Sequence, residues 1–121
     1  MTDASRGRFV ADLYGCDLDL LENPKVIEAA LREAARRLGA SRQESEGVVY
    51  RFHPQGISAA VVSRQVTLLL HSWPEDHASA TLDIYCYELG ADPATVVRDL
   101  VRALGANADF TFREGFAAPT A

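Results

Sequence analysis

His71 opens an HSWPE segment, Glu75 lies four positions further on, and Cys86 ends the next β-favouring run. An imidazole, a carboxylate and a thiol brought together at strand ends could move protons or attack an electrophile, the work of general acid–base or nucleophilic catalysis. The same residues also suit a plainer role, with His71 and Glu75 bonded to backbone in a proline turn and Cys86 packed as a small hydrophobe. The generic motifs are absent: the chain has no phosphate-cradling glycine-rich loop, no metal-spaced cysteine pair and no nucleophile elbow. His53, His71 and His77 match no standard ligand spacing, so no metal is expected.

The elements that must position these groups belong to a chain of 121 residues, 48% apolar and 24% charged. Those values are typical of a globular domain, and one domain over residues 1–121 is expected. Twelve Lys and Arg against seventeen Asp and Glu give a net charge of -5, the wrong sign for a nucleic-acid surface. Asp12, Asp17 and Asp19 read either as solvated surface charge or as recognition of a cationic polyamine effector. Cys16 and Cys86 read as free thiols in a reducing compartment, and the chain as cytoplasmic, since the start lacks the apolar core of a secretory signal. No apolar run approaches the roughly 18 residues of a membrane span.

Residues 8–14 alternate and end at Gly15, which suits a strand entering a turn. Asn23 as cap, Pro24 at the first position, and Ile27, Leu31, Ala34 and Leu38 at helical spacing predict a helix stopped by Gly39. Arg32, Arg36 and Arg37 fall off that stripe and read as its solvated face. Short β-favouring runs follow at 48–52, 57–62 and 66–70, separated by HPQG and followed by the turn SWPED, with a further strand at 81–87. Asp92 and Pro93 announce a second helix with Val96, Val97, Leu100, Val101 and Leu104 as its buried stripe. A last short strand at 110–112 precedes a tail expected to be disordered from about 114. The order predicts an α+β fold, a mainly antiparallel sheet with two helices on one face. Val61, Leu68, Leu70, Leu82 and Ile84 are expected on the other face, where they would be covered by a second copy in a homodimer.

Taken in order, GRFVADLYGCD, FHPQGIS, LLLHSWPE and DIYCYE resemble the bacterial S-adenosylmethionine decarboxylase proenzymes, over roughly residues 7–105. HSWPE is similar to that family's H-T/S-W-P-E signature and FHPQGIS to its F-x-P-x-G-x-S segment. The resemblance implies an α+β sandwich of paired protomers, self-cleavage to a pyruvoyl group, and decarboxylation of S-adenosylmethionine. It also implies roles: Phe52 stacks on adenine, Glu75 lies near the ribose, Ser58 and His71 assist chain cleavage, and Cys86 donates a proton. Trp73 then reads as a wall of the substrate pocket. Without the resemblance, Phe52 and Trp73 suit an aromatic core as well as a ligand.

One position departs from the pattern. Where the family carries Glu-Ser, whose serine attacks its own preceding carbonyl, this chain has Gln65 and Val66. Valine supplies no nucleophile, so no pyruvoyl cofactor is expected. Ser63 and Thr67 each lie an odd number of positions from Val66, on the opposite side of a strand, and are poor substitutes. S-adenosylmethionine carries its own activated leaving group, methylthioadenosine. The sequence therefore points to a cofactor-independent lyase or cyclase, in which positioning alone could supply up to roughly 7–11 kcal/mol. The alternatives are a non-catalytic regulator, a subunit pairing with an active homologue, and, last, a decarboxylase processed at Ser63 or Thr67.

Overall fold

The computed structural model describes residues 7–87, 91–105 and 109–115. Alternating apolar residues set the strands, and their period of two sends one set of each strand under the helices. The strands are β1 (Gly7–Tyr14), β2 (Ser45–Arg51), β3 (Ile57–Ser63), β4 (Val66–Trp73), β5 (Ser79–Cys86) and β6 (Asp109–Gly115). They form one antiparallel sheet in the order β2-β3-β4-β5-β1-β6. β1, first in sequence, thus fills the place between β5 and β6.

Among the described residues three α-helices accompany the sheet, α1 (Leu18–Leu21), α2 (Pro24–Arg37) and α3 (Pro93–Ala103), with a 3-10 turn at Arg42–Glu44. The Asn23 carboxamide accepts the N–H groups of Lys25 and Val26 at 3.0 and 3.3 Å, and Asp92 accepts from Thr95 N at 3.2 Å. Each cap satisfies donors that the first turn leaves open, worth about 1 kcal/mol. Arg37 pairs with Asp99 and ties α2 to α3, so it is not simply part of a solvated face. Gly39 and Gly105, both with positive φ, end the two long helices.

Under α2 and α3 lies the core: Ala11 and Leu13 of β1, Ile57 and Val61 of β3, Leu68 and Leu70 of β4, and Leu82 and Ile84 of β5, all essentially inaccessible. This corrects the expected basis for a dimer, because Val61, Leu68, Leu70, Leu82 and Ile84 already lie beneath the helices. The opposite face is mixed. It carries Ser58, Ala60 and Val62, then Thr67, Leu69 and His71, then Thr81, Asp83 and Tyr85, across β3, β4 and β5. Exposed Val48, Tyr50, Val62 and Trp73 give it some apolar character.

Element ends also shift. β4 runs on through His71, Ser72 and Trp73, so the turn starts at Pro74. Residues 114 and 115 pair with Phe9 and Arg8 in β6, while 116–121, the rest of the expected tail, lie outside the described residues. No helix is long and apolar enough to cross a membrane among the described residues.

Candidate functional site

β3 and β4 place Ser58 opposite His71, and because both side chains fall on the open face they meet: Ser58 Oγ lies 2.7 Å from His71 Nδ1. Each is half-buried, which protects the bond from water without excluding a ligand. The strand start that presents Ser58 is fixed from the other side of the sheet. There Ser72 Oγ, buried, accepts the Ile57 N–H at 2.8 Å.

The same transverse row continues across the sheet from Tyr50 through Ser58, His71 and Thr81 to Asp12. Thr81 Oγ1 donates to Asp12 Oδ1 at 3.4 Å, and Asp12 faces Arg113 at 3.6 Å. Tyr50, Thr81 and Asp12 escape sequence reasoning as a group, since only the register across the strands puts them in line. Asp12 is therefore engaged on the sheet face, whereas Asp17 caps α1 through Leu20 N.

The aromatic and acidic candidates sit at the same end of the sheet. Phe52 follows β2, donates its N–H to Gly56 O at 2.8 Å, and packs edge-on against Tyr50 with ring centroids 4.7 Å apart. Gly56 has φ +103°, a conformation that L side chains rarely adopt, and it returns the chain to β3. Phe52 and Trp73 remain 46% and 48% exposed, so neither is a core aromatic. Glu75 is exposed on the turn after β4, whose far side is held to β1 by Gly15 N to His77 O and Cys16 N to Ala78 O, both 3.0 Å.

Cys86 does not join them. It lies at the opposite end of the sheet, on the helix-covered face, paired in register with Val66. His71 is five residues from Val66 along β4, about 17 Å at strand rise, and on the other side of the sheet. The expected convergence of His71, Glu75 and Cys86 in one cleft therefore fails within one chain. Burial pushes the Cys86 thiol up to about 11, so it stays protonated at neutral pH.

Around position 66 the backbone is closely engaged. Ser63 Oγ donates to Val66 O at 2.7 Å and accepts from Val66 N at 3.0 Å. The Gln65 carbonyl accepts from Tyr87 N at 2.9 Å, while the buried Gln65 Oε1 has no partner among the described residues. Nor, among these residues, do three His, Cys, Asp or Glu side chains converge as a metal site would require.

An antiparallel sheet with helices on one face and a Ser–His pair on the other defines an α+β class with known members. The crystal structure of the adenosylmethionine decarboxylase from Aquifex aeolicus VF5 superposes with a TM-score of 0.65 at 26% identity, covering 99% of this chain and 98% of that one. The S-adenosylmethionine decarboxylase family model matches residues 7–114. Among relatives, the S-adenosylmethionine decarboxylase proenzyme 2 of Halalkalibacterium halodurans is 36% identical over 99 residues, 82% of this chain and 76% of the relative. The S-adenosylmethionine decarboxylase proenzyme of Anoxybacillus flavithermus is 37% identical over 98 residues, 80% of this chain and 75% of the relative. The chain belongs to the S-adenosylmethionine decarboxylase family.

Proposed function

We propose that this protein binds S-adenosylmethionine, forms no pyruvoyl group, and acts as a lyase or cyclase that releases methylthioadenosine. One observation carries the reading. The Ser58–His71 pair and the exposed Phe52, Trp73 and Glu75 are retained at one end of the sheet, while the position that would have to become the electron sink is a fully buried hydrocarbon. The residues at 65 and 66 do not fit a pyruvoyl precursor, because Val66 has no hydroxyl to attack the Gln65 carbonyl. Ser63 is a poor substitute, its hydroxyl being held between the N–H and carbonyl of Val66, and Thr67 faces the other side.

The reaction needs no sink. The substrate carboxylate oxygen forms a bond to the γ-carbon as the carbon–sulfur bond breaks, its electron pair neutralises the sulfonium, and homoserine lactone and methylthioadenosine leave. The protein's task is orientation. Phe52 offers a face for the adenine, Trp73 a wall and Glu75 an acceptor for the ribose hydroxyls. His71, with its ring fixed by Ser58, stands nearest the reacting portion. Closure by the α-carbon to a cyclopropane amino acid asks for a base as well, and His71 is the group at that end of the sheet able to serve.

Cys86 fits the site only through a second copy. Since one protomer separates the Cys86–Val66 end, on the helix-covered face, from the Ser58–His71 end, on the open face, a site that uses both requires a homodimer in which the 66–86 end of one copy's sheet reaches the open face of the other. The same separation favours a second reading, in which this chain lends Ser58, His71 and Phe52 to the site of a processed homologue in a hetero-oligomer and turns over no substrate alone.

Purified protein incubated with S-adenosylmethionine should release methylthioadenosine above the buffer rate, and His71→Ala should abolish the excess while retaining binding. A rate equal to buffer, with saturable binding, transfers the assignment to the second reading. A rate equal to buffer with no binding removes the lyase reading.

A further inference from the structure

Between α2, the 3-10 turn (Arg42–Glu44) and the first residue of β2 lies a cavity of about 290 Å³, on the helix-covered side of the sheet and away from Ser58 and His71. Arg32, Arg36 and Arg42 line it with one acid, Glu33, and Glu28 bonds Arg32 from outside the lining, so three guanidiniums face two carboxylates in a chain whose total charge is -5. Its floor is apolar and small: Ala35, Ala40 and Val61 are buried there, and Ser45 stands at the edge. A concentration of positive charge on an acidic protein, over an apolar floor, is a recognition feature rather than average surface.

The guanidiniums are held but not consumed. Arg32 bonds Glu28 at 3.0 Å and Arg36 bonds Glu33 at 3.0 and 2.7 Å, both as exposed pairs along α2 that a doubly charged ligand can displace. Arg42 has no ion-pair partner among the described residues. Gly47 makes room for the arrangement. A Cβ there would stand 2.8 Å from Arg32 Nη2 and 3.1 Å from its Cζ, so the absent side chain is what lets the guanidinium lie over β2.

We propose that this cavity binds a phosphomonoester with a small apolar body. Three guanidiniums line one cavity and such forks pair with phosphoryl oxygens, so a group carrying roughly -1.5 to -2 at pH 7 competes with the two carboxylates for them. The volume is about ten water molecules' share, more than inorganic phosphate fills, and the alanine and valine floor suits a ring or short aliphatic chain. The site is independent of S-adenosylmethionine, which presents a cation.

Amide NMR titration of the full chain at physiological salt, with phenyl phosphate, inorganic phosphate and phenol as probes, tests this. Saturable shifts with phenyl phosphate in α2 and the 42–47 segment are expected, weaker ones with phosphate, and none with phenol. Arg42→Gln should weaken phenyl phosphate about tenfold. Gly47→Ala should also weaken it by displacing Arg32, and Arg102→Gln on α3 should leave it unchanged. The site is overturned if phenyl phosphate does not saturate at millimolar concentration, if phenol binds equally well, or if Arg102→Gln weakens binding as much as Arg42→Gln.

Discussion

Returning a hydroxyl to position 66 tests the central chemical point. Val66 is 0% exposed, so Val66→Ala removes about 2–3 kcal/mol of burial and packing. Val66→Ser adds about 1 kcal/mol for a hydroxyl taken out of water, roughly 3–4 kcal/mol in all. That is a large part of an ordinary domain's 5–15 kcal/mol and corresponds to a melting temperature lower by about 10–15 °C, so both variants should fold at 20 °C. The carbonyl that the introduced hydroxyl would attack, that of Gln65, already accepts the Tyr87 N–H at 2.9 Å, a donor placed where charge would develop. Val66→Ser is therefore expected to cut itself slowly into two fragments, seen by intact mass, with a pyruvoyl terminus on the second. Val66→Ala, destabilised almost as much, should stay a single chain, which separates chemistry from proteolysis of a loosened fold. Wild type should remain one species of 13.2 kDa. A folded Val66→Ser that stays intact for days would refute the claim that the missing hydroxyl is what prevents cleavage, and a nicked wild type would refute it outright.

Three further outcomes are expected. Phe52→Ala should weaken S-adenosylmethionine binding roughly tenfold through lost stacking, yet move the urea midpoint little because the ring is 46% exposed. Ser58→Ala frees the His71 ring and should lower methylthioadenosine release about tenfold at unchanged binding, with a shift in the His71 ring signals as the structural readout. For Cys86 the folded value, about 11, lies above the ordinary thiol value near 9, so its contribution is whole below pH 9 and lost as pH rises through 11. Wild type should lose more stability than Cys86→Ala over that interval, and equal urea midpoints across it would contradict the assignment.

Both long helices were legible because Asn23-Pro24 and Asp92-Pro93 combine a side-chain cap with a preorganised first turn, and the apolar stripes that follow have a single period. Four-residue α1 has no stripe to read and announces itself only through the Asp17 cap. The run VTLLL of β4 shows why the covered face was misjudged. Its period groups Leu68 and Leu70 with Val61, Leu82 and Ile84 on one face, as register against β3 and β5 confirms, but with Leu69 on the other face the strand pattern alone does not say which face the helices cover. The motif residues were legible as types but not as places. His71 and Cys86 are fifteen positions apart, and whether they meet depends on which ends of β4 and β5 are paired.

That placement has a consequence for assembly. If a complete site draws Ser58 and His71 from one subunit and residues 66 and 86 from another, a homodimer of this chain joins every histidine to a valine. A heterodimer with a processed relative contains one site that joins this chain's His71 to the relative's pyruvoyl group. Mixing this protein with a relative whose own matching histidine is changed to alanine discriminates the two readings. Recovered decarboxylation that vanishes with this chain's His71→Ala is expected if the protein serves as a subunit. No recovery, in a mixture shown by native mass to contain the heterodimer, excludes that role and leaves the lyase reading.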